Sequence, residues 1–316
     1  MQHFRTELNI PRSKFQITHQ DEILLIGSCF SQNIGLLLQE HKFVSIQNPY
    51  GTIFHPVAMA KILELCICQT LVTKDEFVHA QGVYLHPNFH SNLGDTSLEN
   101  AVSKTNEVIQ TIHEYLKNVK YIFITFGTSI GYRLKSNNEI VANCHKLPAN
   151  LFIRESVTLE NNLFALIQTF ELLKNCNSNA KIILTVSPVR HIKDGIIENS
   201  KSKATLLSMS HALTEMYQNV SYFPAYEWMI DDLRDYRFYS KDMIHPNEQA
   251  IEYIWEKFSN HFFDQTTKDI NIKIERINKA INHKPFNANT KEHLIFLKKL
   301  QDEIGLLQSS YDWVRF

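Results

Sequence analysis

Two short stretches of this chain carry side chains that together could transfer an acyl group. The first is Gly27-Ser28-Cys29-Phe30-Ser31, directly after the apolar run Ile23-Leu24-Leu25-Ile26. It sets a hydroxyl and a thiol side by side, and either type of group can attack a carbonyl carbon. The second is Asp242-Met243-Ile244-His245-Pro246, with a carboxylate and an imidazole three residues apart. Acyl transfer needs a nucleophile, a base that takes its proton, a group that orients the base, and donors for the oxyanion. Cys29 or Ser28, His245 and Asp242 fill the first three roles in that order. Gly51, Ser129 and Asn143 are the candidates for the fourth. Each feature has a plainer alternative. A cysteine behind a buried strand often serves as a small core residue, and an isolated D-x-x-H usually sits on a solvated loop.

Other polar residues carry the same two readings. Arg190 and His191 follow a strand-like run and could hold an anionic substrate group, or pair with a nearby acid. His90 is a further substrate-facing candidate. His86, His90, His145 and His191, with Cys144 beside His145, raise the question of a metal. No close Cys/His pair is matched by a second pair at finger-like spacing, so no metal and no cofactor are expected. Cys66 and Cys68 lie on a helical stretch where their side chains diverge, which points to packing and not to a ligand pair.

These groups can meet only if the intervening chain folds to bring them together. Residues 1–20 read as an irregular lead-in. Residues 22–26, 121–126, 181–186 and 220–224 read as strands. Residues 31–41, 57–71, 99–116, 158–175, 200–217 and 247–262 read as helices from their apolar spacing. Asn48-Pro49-Tyr50-Gly51-Thr52 is a turn cluster, and residues 76–95 read as short strands or loops. The strands are continuously apolar and alternate with helices. That pattern predicts a parallel sheet covered on both faces, a three-layer α/β/α arrangement. Such sheets place their sites at the C-terminal ends of the strands, where Gly27-Ser28-Cys29, Gly127-Thr128-Ser129 and Ser187-Pro188-Val189-Arg190-His191 fall. Residues 1–264 are expected to form the α/β domain. Residues 265–316 are expected to form a C-terminal helical extension packed on it, broken near His283-Lys284-Pro285. Its basic residues Lys268, Lys273, Arg276 and Lys279 alternate with acids, as on a solvated face.

Composition narrows the partners. The 316 residues are 44% hydrophobic, and 32 basic side chains nearly cancel 33 acidic ones. There is no global charge excess to favour nucleic acid or an anionic membrane. The apolar runs are too short to span a bilayer. Five scattered cysteines suit a reducing compartment, so a cytoplasmic protein without disulfides is expected. The expected partner is a small-molecule or carbohydrate ester.

The chain resembles the GSCFA family. The residues that carry the resemblance are Gly27-Ser28-Cys29-Phe30-Ser31, Asn48-Pro49-Tyr50-Gly51-Thr52, Asn143-Cys144-His145-Lys146, Ser187-Pro188-Val189-Arg190-His191, Arg234-Asp235-Tyr236-Arg237-Phe238-Tyr239 and Asp242-Met243-Ile244-His245-Pro246. The family looks like a branch of the SGNH/GDSL hydrolases, which implies a flavodoxin-like α/β/α fold. The first block of that superfamily is Gly-Asp-Ser. In that register Cys29 takes the nucleophile position and Ser28 the aspartate position, while a local shift would make Ser28 the nucleophile. His245 would be the base and Asp242 its orienter, and Gly51 would be the second-block glycine. The third block, usually Gly-x-Asn-Asp, reads Gly127-Thr128-Ser129-Ile130. Its oxyanion asparagine is missing, leaving Ser129 or the distant Asn143 to serve. The resemblance implies an ester or thioester hydrolase, and a Cys29 thiol next to His245 and near a helix N-terminus is expected to have a depressed pKa. A ligand-binding protein with an incomplete oxyanion hole, or an acyltransferase to a sugar hydroxyl, are the alternatives.

Overall fold

The computed structural model describes residues 6–287 and 290–316. Strand β1 (Ile23–Gly27) is buried along its whole length and is followed by helix α1 (Cys29–Glu40). Next come β2 (Ser45–Gln47), α2 (Pro56–Ile67) and a small hairpin, β3 (Val78–Ala80) and β4 (Val83–Leu85). The hairpin turns at Gln81 and Gly82, both at positive φ, the two-residue geometry that matches strand twist. Helix α3 (Leu98–Leu116) leads to the fully buried β5 (Tyr121–Phe126). The chain then makes β6 (Ile130–Leu134), β7 (Glu139–Val141) and β8 (Phe152–Ser156), followed by α4 (Leu159–Cys176) and β9 (Lys181–Val186). Helix α5 (Ile196–Met216), β10 (Val220–Tyr222) and the short α6 (Ala225–Glu227) come next, and a π-turn over Trp228–Asp232 continues α6. Helices α7 (Glu248–Phe262), α8 (Gln265–Ile281) and α9 (Lys291–Ser310) close the chain.

Five strands form one sheet in the order β10-β9-β5-β1-β2, and every pair is parallel. Successive side chains of a strand alternate between the faces, and both faces are packed. Leu24, Ile26, Ile122, Ile124, Ile182 and Leu184 point into a core with α2, α3, α4 and α5. Ile23, Leu25, Phe123 and Ile183 point into a second core with α1 and α7. This is the expected three-layer α/β/α fold, in a flavodoxin-like strand order. The winding direction reverses between β1 and β5, which opens a crevice at their C-terminal ends.

Two parts of the chain were not anticipated. Strand β2 is a short edge strand of mixed polarity. The excursion after β5 makes a separate antiparallel sheet, β7-β6-β8, with Arg133 paired to Glu155 across β6 and β8 at 3.1 Å. Its strands are half exposed and carry no continuous apolar run, so they give little strand signal. Helices α8 and α9 and the segment after them share their own apolar cluster of Ile270, Ile274, Ile277, Leu300, Leu307 and Val314. His19 links this cluster to the sheet domain, stacking on Trp313 at 4.5 Å and bonding Asn271 at 2.8 Å. Among the described residues no helix is long and apolar enough to cross a membrane.

Candidate active site

The loop between β1 and α1 is shaped by each residue of Gly27-Ser28-Cys29-Phe30-Ser31. Gly27 has φ +137°, a conformation side chains rarely adopt, and a Cβ there would run into the backbone of Thr125 on β5. Its N–H donates to Asn48 Oδ1 at 2.9 Å. Ser28 is buried and caps α1, its hydroxyl accepting from Phe30 N at 3.2 Å. Ser31 Oγ binds Ile26 O at 3.0 Å and Thr125 Oγ1 at 2.7 Å, tying the first turn of α1 to β1 and β5. Cys29, the first residue of α1, is half-buried and takes no part in these links. The serine is thus a cap, and the thiol is the side chain left for chemistry.

The thiol's environment differs from the expectation. Burial pushes the Cys29 pKa up, while the first-turn amides of Cys29 and Phe30 and the charge of Lys203 oppose the rise. A depressed value was expected, and desolvation overrides the helix N-terminus here. Asp242 adds to the rise, which places its carboxylate near the same sulfur.

The carboxylate and imidazole of the second motif are joined. Asp242 Oδ2 accepts from His245 Nδ1 at 2.7 Å, and Oδ1 accepts from the amides of Ile244 and His245 at 2.9 and 3.0 Å. These bonds hold the Asp242 pKa down, to about 2. An ionised carboxylate can only accept, so Nδ1 carries the proton and Nε2 is left as the basic nitrogen. Met243 sits at φ +59° to close the turn. Ser240 N donates to His245 O at 2.7 Å, and Arg190 N donates to Ile244 O at 3.4 Å, fixing the loop to the exit of β9. Both side chains are open to solvent, His245 at 48% and Asp242 at 46%. Pro246 and Cys29 line the same small apolar notch of about 20 Å³. Cys29, Asp242 and His245 therefore gather at one rim of the sheet. No hydrogen bond joins Cys29 to His245.

Other expected residues fall in different places. His191 stands at this rim and is held near 4 by burial, with Lys203 and His245 adding to the fall. Arg190 lies beside it and faces a larger cavity. The Gly51 N–H is already donated to Asn48 O at 2.8 Å, and a Cβ at Gly51 would overlap the His90 side chain. This glycine makes room for His90 and does not offer a free amide. His90 N in turn donates to Tyr50 O at 3.1 Å, and Asn143 N donates to Pro87 O at 3.0 Å. Gly51, His90 and Asn143 thus belong to one packed group, joined to the nucleophile loop through Asn48 and through Ile53 N, which donates to Gly27 O at 3.2 Å. Ser129 is fully buried under α5, with its N–H on Ser202 Oγ at 2.7 Å. It cannot serve as an oxyanion donor in this arrangement.

Two residues were missed. Asn48 binds Gly27 N and, at 3.4 Å, Ser28 O. Lys203 is 2% exposed, and its ammonium nitrogen donates to Gly127 O and Ser187 O, both at 2.6 Å, at the ends of β5 and β9. Burial drops its pKa to about 7, and the neighbouring Cys29 pulls it back up. The signal for Lys203 was its position: with Leu206, Ser210 and Leu213 it lies on the buried face of α5.

The protein is thus an α/β protein with a parallel five-stranded sheet, a thiol just past its first strand and an Asp–His pair on the loop before α7. The GSCFA family model matches residues 22–258, and the chain belongs to the GSCFA family. A second model, GSCFA domain protein, C-terminal domain, matches residues 274–316. A solved structure from Streptococcus pneumonia, provisionally described as a platelet activating factor, is similar at 13% identity. It covers 76% of this chain and 84% of its own, with a TM-score of 0.39. Comparison with curated proteins gave no match.

Proposed function

We propose that this protein is an SGNH/GDSL-like hydrolase acting on an ester or thioester through a covalent acyl-enzyme. The observation that carries this reading is the 2.7 Å Asp242–His245 pair at the rim where Cys29 opens α1, just past β1. In the proposed reaction His245 Nε2 takes the thiol proton and the sulfur attacks the substrate carbonyl. The tetrahedral intermediate collapses to an acyl-thioester on Cys29, and the leaving alcohol or thiol takes the proton back from His245. Water, deprotonated by the same nitrogen, releases the acid and restores the thiol. His245 sits on an exposed turn, so contact with the sulfur would tighten as substrate binds. The notch beside Cys29 has room for about one water-sized group, which supports a short acyl chain such as acetyl.

The test is to treat the native protein with iodoacetamide and a fluorophosphonate, map the labelled peptides, and assay 4-nitrophenyl acetate and an acetyl thioester. Cys29 should be labelled well before the buried Cys66, whose pKa is pushed up to about 12, and Cys29→Ala should abolish turnover. Labelling of Ser28 with loss of activity in Ser28→Ala would move the nucleophile. Full turnover in both variants would remove the covalent mechanism. A second reading, a ligand-binding protein on the same fold, is favoured by the engaged amides of Gly51 and Ser129 and by the raised thiol pKa. It predicts no turnover and a Cys29 no more reactive than the exposed Cys68.

A further inference from the structure

A cavity of about 390 Å³ opens between α5 and the segment that runs from α6 to the loop carrying Asp242. That volume lies within the range of small-molecule sites. Pro188, Arg190, Lys203, Tyr226, Tyr236 and Tyr239 form much of its wall. Pro188 also lines the notch beside Cys29, so the two spaces share a wall next to the proposed reacting sulfur.

The charges on this wall do not cancel. Arg234 pairs with Asp231, and Asp235 pairs with Arg237 at 3.5 Å. Arg190 and Lys203 have no carboxylate partner among the described residues. The ammonium of Lys203 is held by two backbone carbonyls. Arg190 interacts with the Tyr236 hydroxyl, with Tyr239 and Tyr226 also near, and these phenols raise its pKa. Tyrosine hydroxyls can fix a guanidinium in place but cannot neutralise it. A planar guanidinium held this way still presents donors that match a carboxylate or a phosphate. The rings of the tyrosines add flat apolar faces around it.

We propose that this cavity binds an anionic group of the substrate, a carboxylate or a phosphate, with Arg190 as its principal contact. The proposal builds on the reading of the Cys29 rim as the reaction site, and it assigns the substrate part that lies away from the scissile bond. A small sugar acid or sugar phosphate fits the volume and the aromatic walls.

The experiment is isothermal titration calorimetry on the full chain at neutral pH and low salt, with glucuronate, glucose 6-phosphate and glucose as the three probes. At least one of the two anions should bind ten-fold or more tightly than glucose, and which one binds distinguishes carboxylate from phosphate. Arg190→Gln should weaken that binding at least ten-fold, and Arg190→Lys, which keeps the charge but loses the fork, should weaken it less. Thermal unfolding of each variant checks that the fold is intact. If Arg190→Gln does not fold, Tyr236→Phe, at a 63% exposed position, should still reduce anion affinity several-fold. No anion binding, equal binding of glucose, or unchanged affinity in the folded Arg190 variants overturns the proposal. Calorimetry reads binding without turnover. A failure of thiol reactivity therefore leaves this result standing, and a failure of anion binding leaves the Cys29 labelling result standing.

Discussion

Lys203 gives the sharpest test of the electrostatics at this rim. Its pKa falls from the ordinary 10.5 to about 7 because burial penalises the charged form. That fall corresponds to about 5 kcal/mol between the two protonation states, an upper estimate. The consequence for stability has a definite sign. Between pH 7 and 10.5 the unfolded chain keeps this lysine protonated while the folded chain holds it neutral. The unfolded state then binds more protons, so stability rises with pH in that window, by up to about 1.4 kcal/mol per pH unit. His191 is held near 4, outside this window. The Cys29 thiol and the Tyr226 phenol are pushed above their ordinary values by burial and oppose the gain at the alkaline end, a contribution that the wild type and a Lys203 variant share. Lys203→Met keeps the aliphatic stem and removes the titration. The substitution also leaves Gly127 O and Ser187 O without their donor, at about 1–3 kcal/mol each, so its sign at any single pH is a balance of large effects. The pH dependence is cleaner. Urea unfolding followed by tryptophan fluorescence at pH 7.5 and pH 9 should show the wild type gaining about 2 kcal/mol on the variant as pH rises. A difference that stays constant, or that shrinks, would refute the assignment of a buried, neutralising lysine.

Three further outcomes follow from the geometry. Ser28→Ala removes the cap of α1 and should lower stability by about 1 kcal/mol in urea. Gly27→Ala combines a positive φ with a clash against β5, and should cost about 3 kcal/mol or more, read as a large fall in Tm. Asp242→Asn should leave the urea midpoint almost unchanged because both partners are exposed, yet cut turnover of an ester substrate about 10³-fold or more by releasing the His245 tautomer.

The sheet was legible because its strands are continuous apolar runs and its helices have an apolar face. Tyr121–Phe126 and Lys181–Val186 have the expected boundaries. Helix α1 starts two residues earlier than its apolar spacing suggested, because Ser28 caps it. The β6–β8 sheet was not legible, since exposed strands that pair over a loop leave no clean period. Within the candidate site, the Asp242–His245 contact could be read from the chain because both partners lie on one turn. The donors could not. Whether a backbone amide is free depends on which carbonyl stands opposite it, and Gly51 and Ser129 lose theirs to Asn48 and Ser202. Lys203 was hidden for a related reason: a lysine is ordinarily read as solvated, and only the packing of α5 against the ends of β5 and β9 shows that this one is not.

The adjacent serine and cysteine illustrate how local geometry separates two chemically similar side chains. Side chains alternate along a strand, so continuing β1 through residues 28 and 29 would point them in opposite directions. The structure reaches that result by another route, because β1 ends at Gly27 and residue 28 is already the cap of α1. A cap must have extended backbone and an oxygen that turns back onto the first-turn amides, and Ser28 has φ −74°, ψ 179° and that bond to Phe30 N. A side chain committed in this way is a poor nucleophile, because leaving the cap would uncover an amide. The next residue has helical backbone and points away from the helix axis, which carries the Cys29 thiol toward the Asp242 loop. Burial raises the pKa of that thiol, and the nearby Lys203 opposes the rise only while it is charged. Desolvation therefore sets how little thiolate is available, opposed first by the first-turn amides of α1 and then by Lys203 while it is charged.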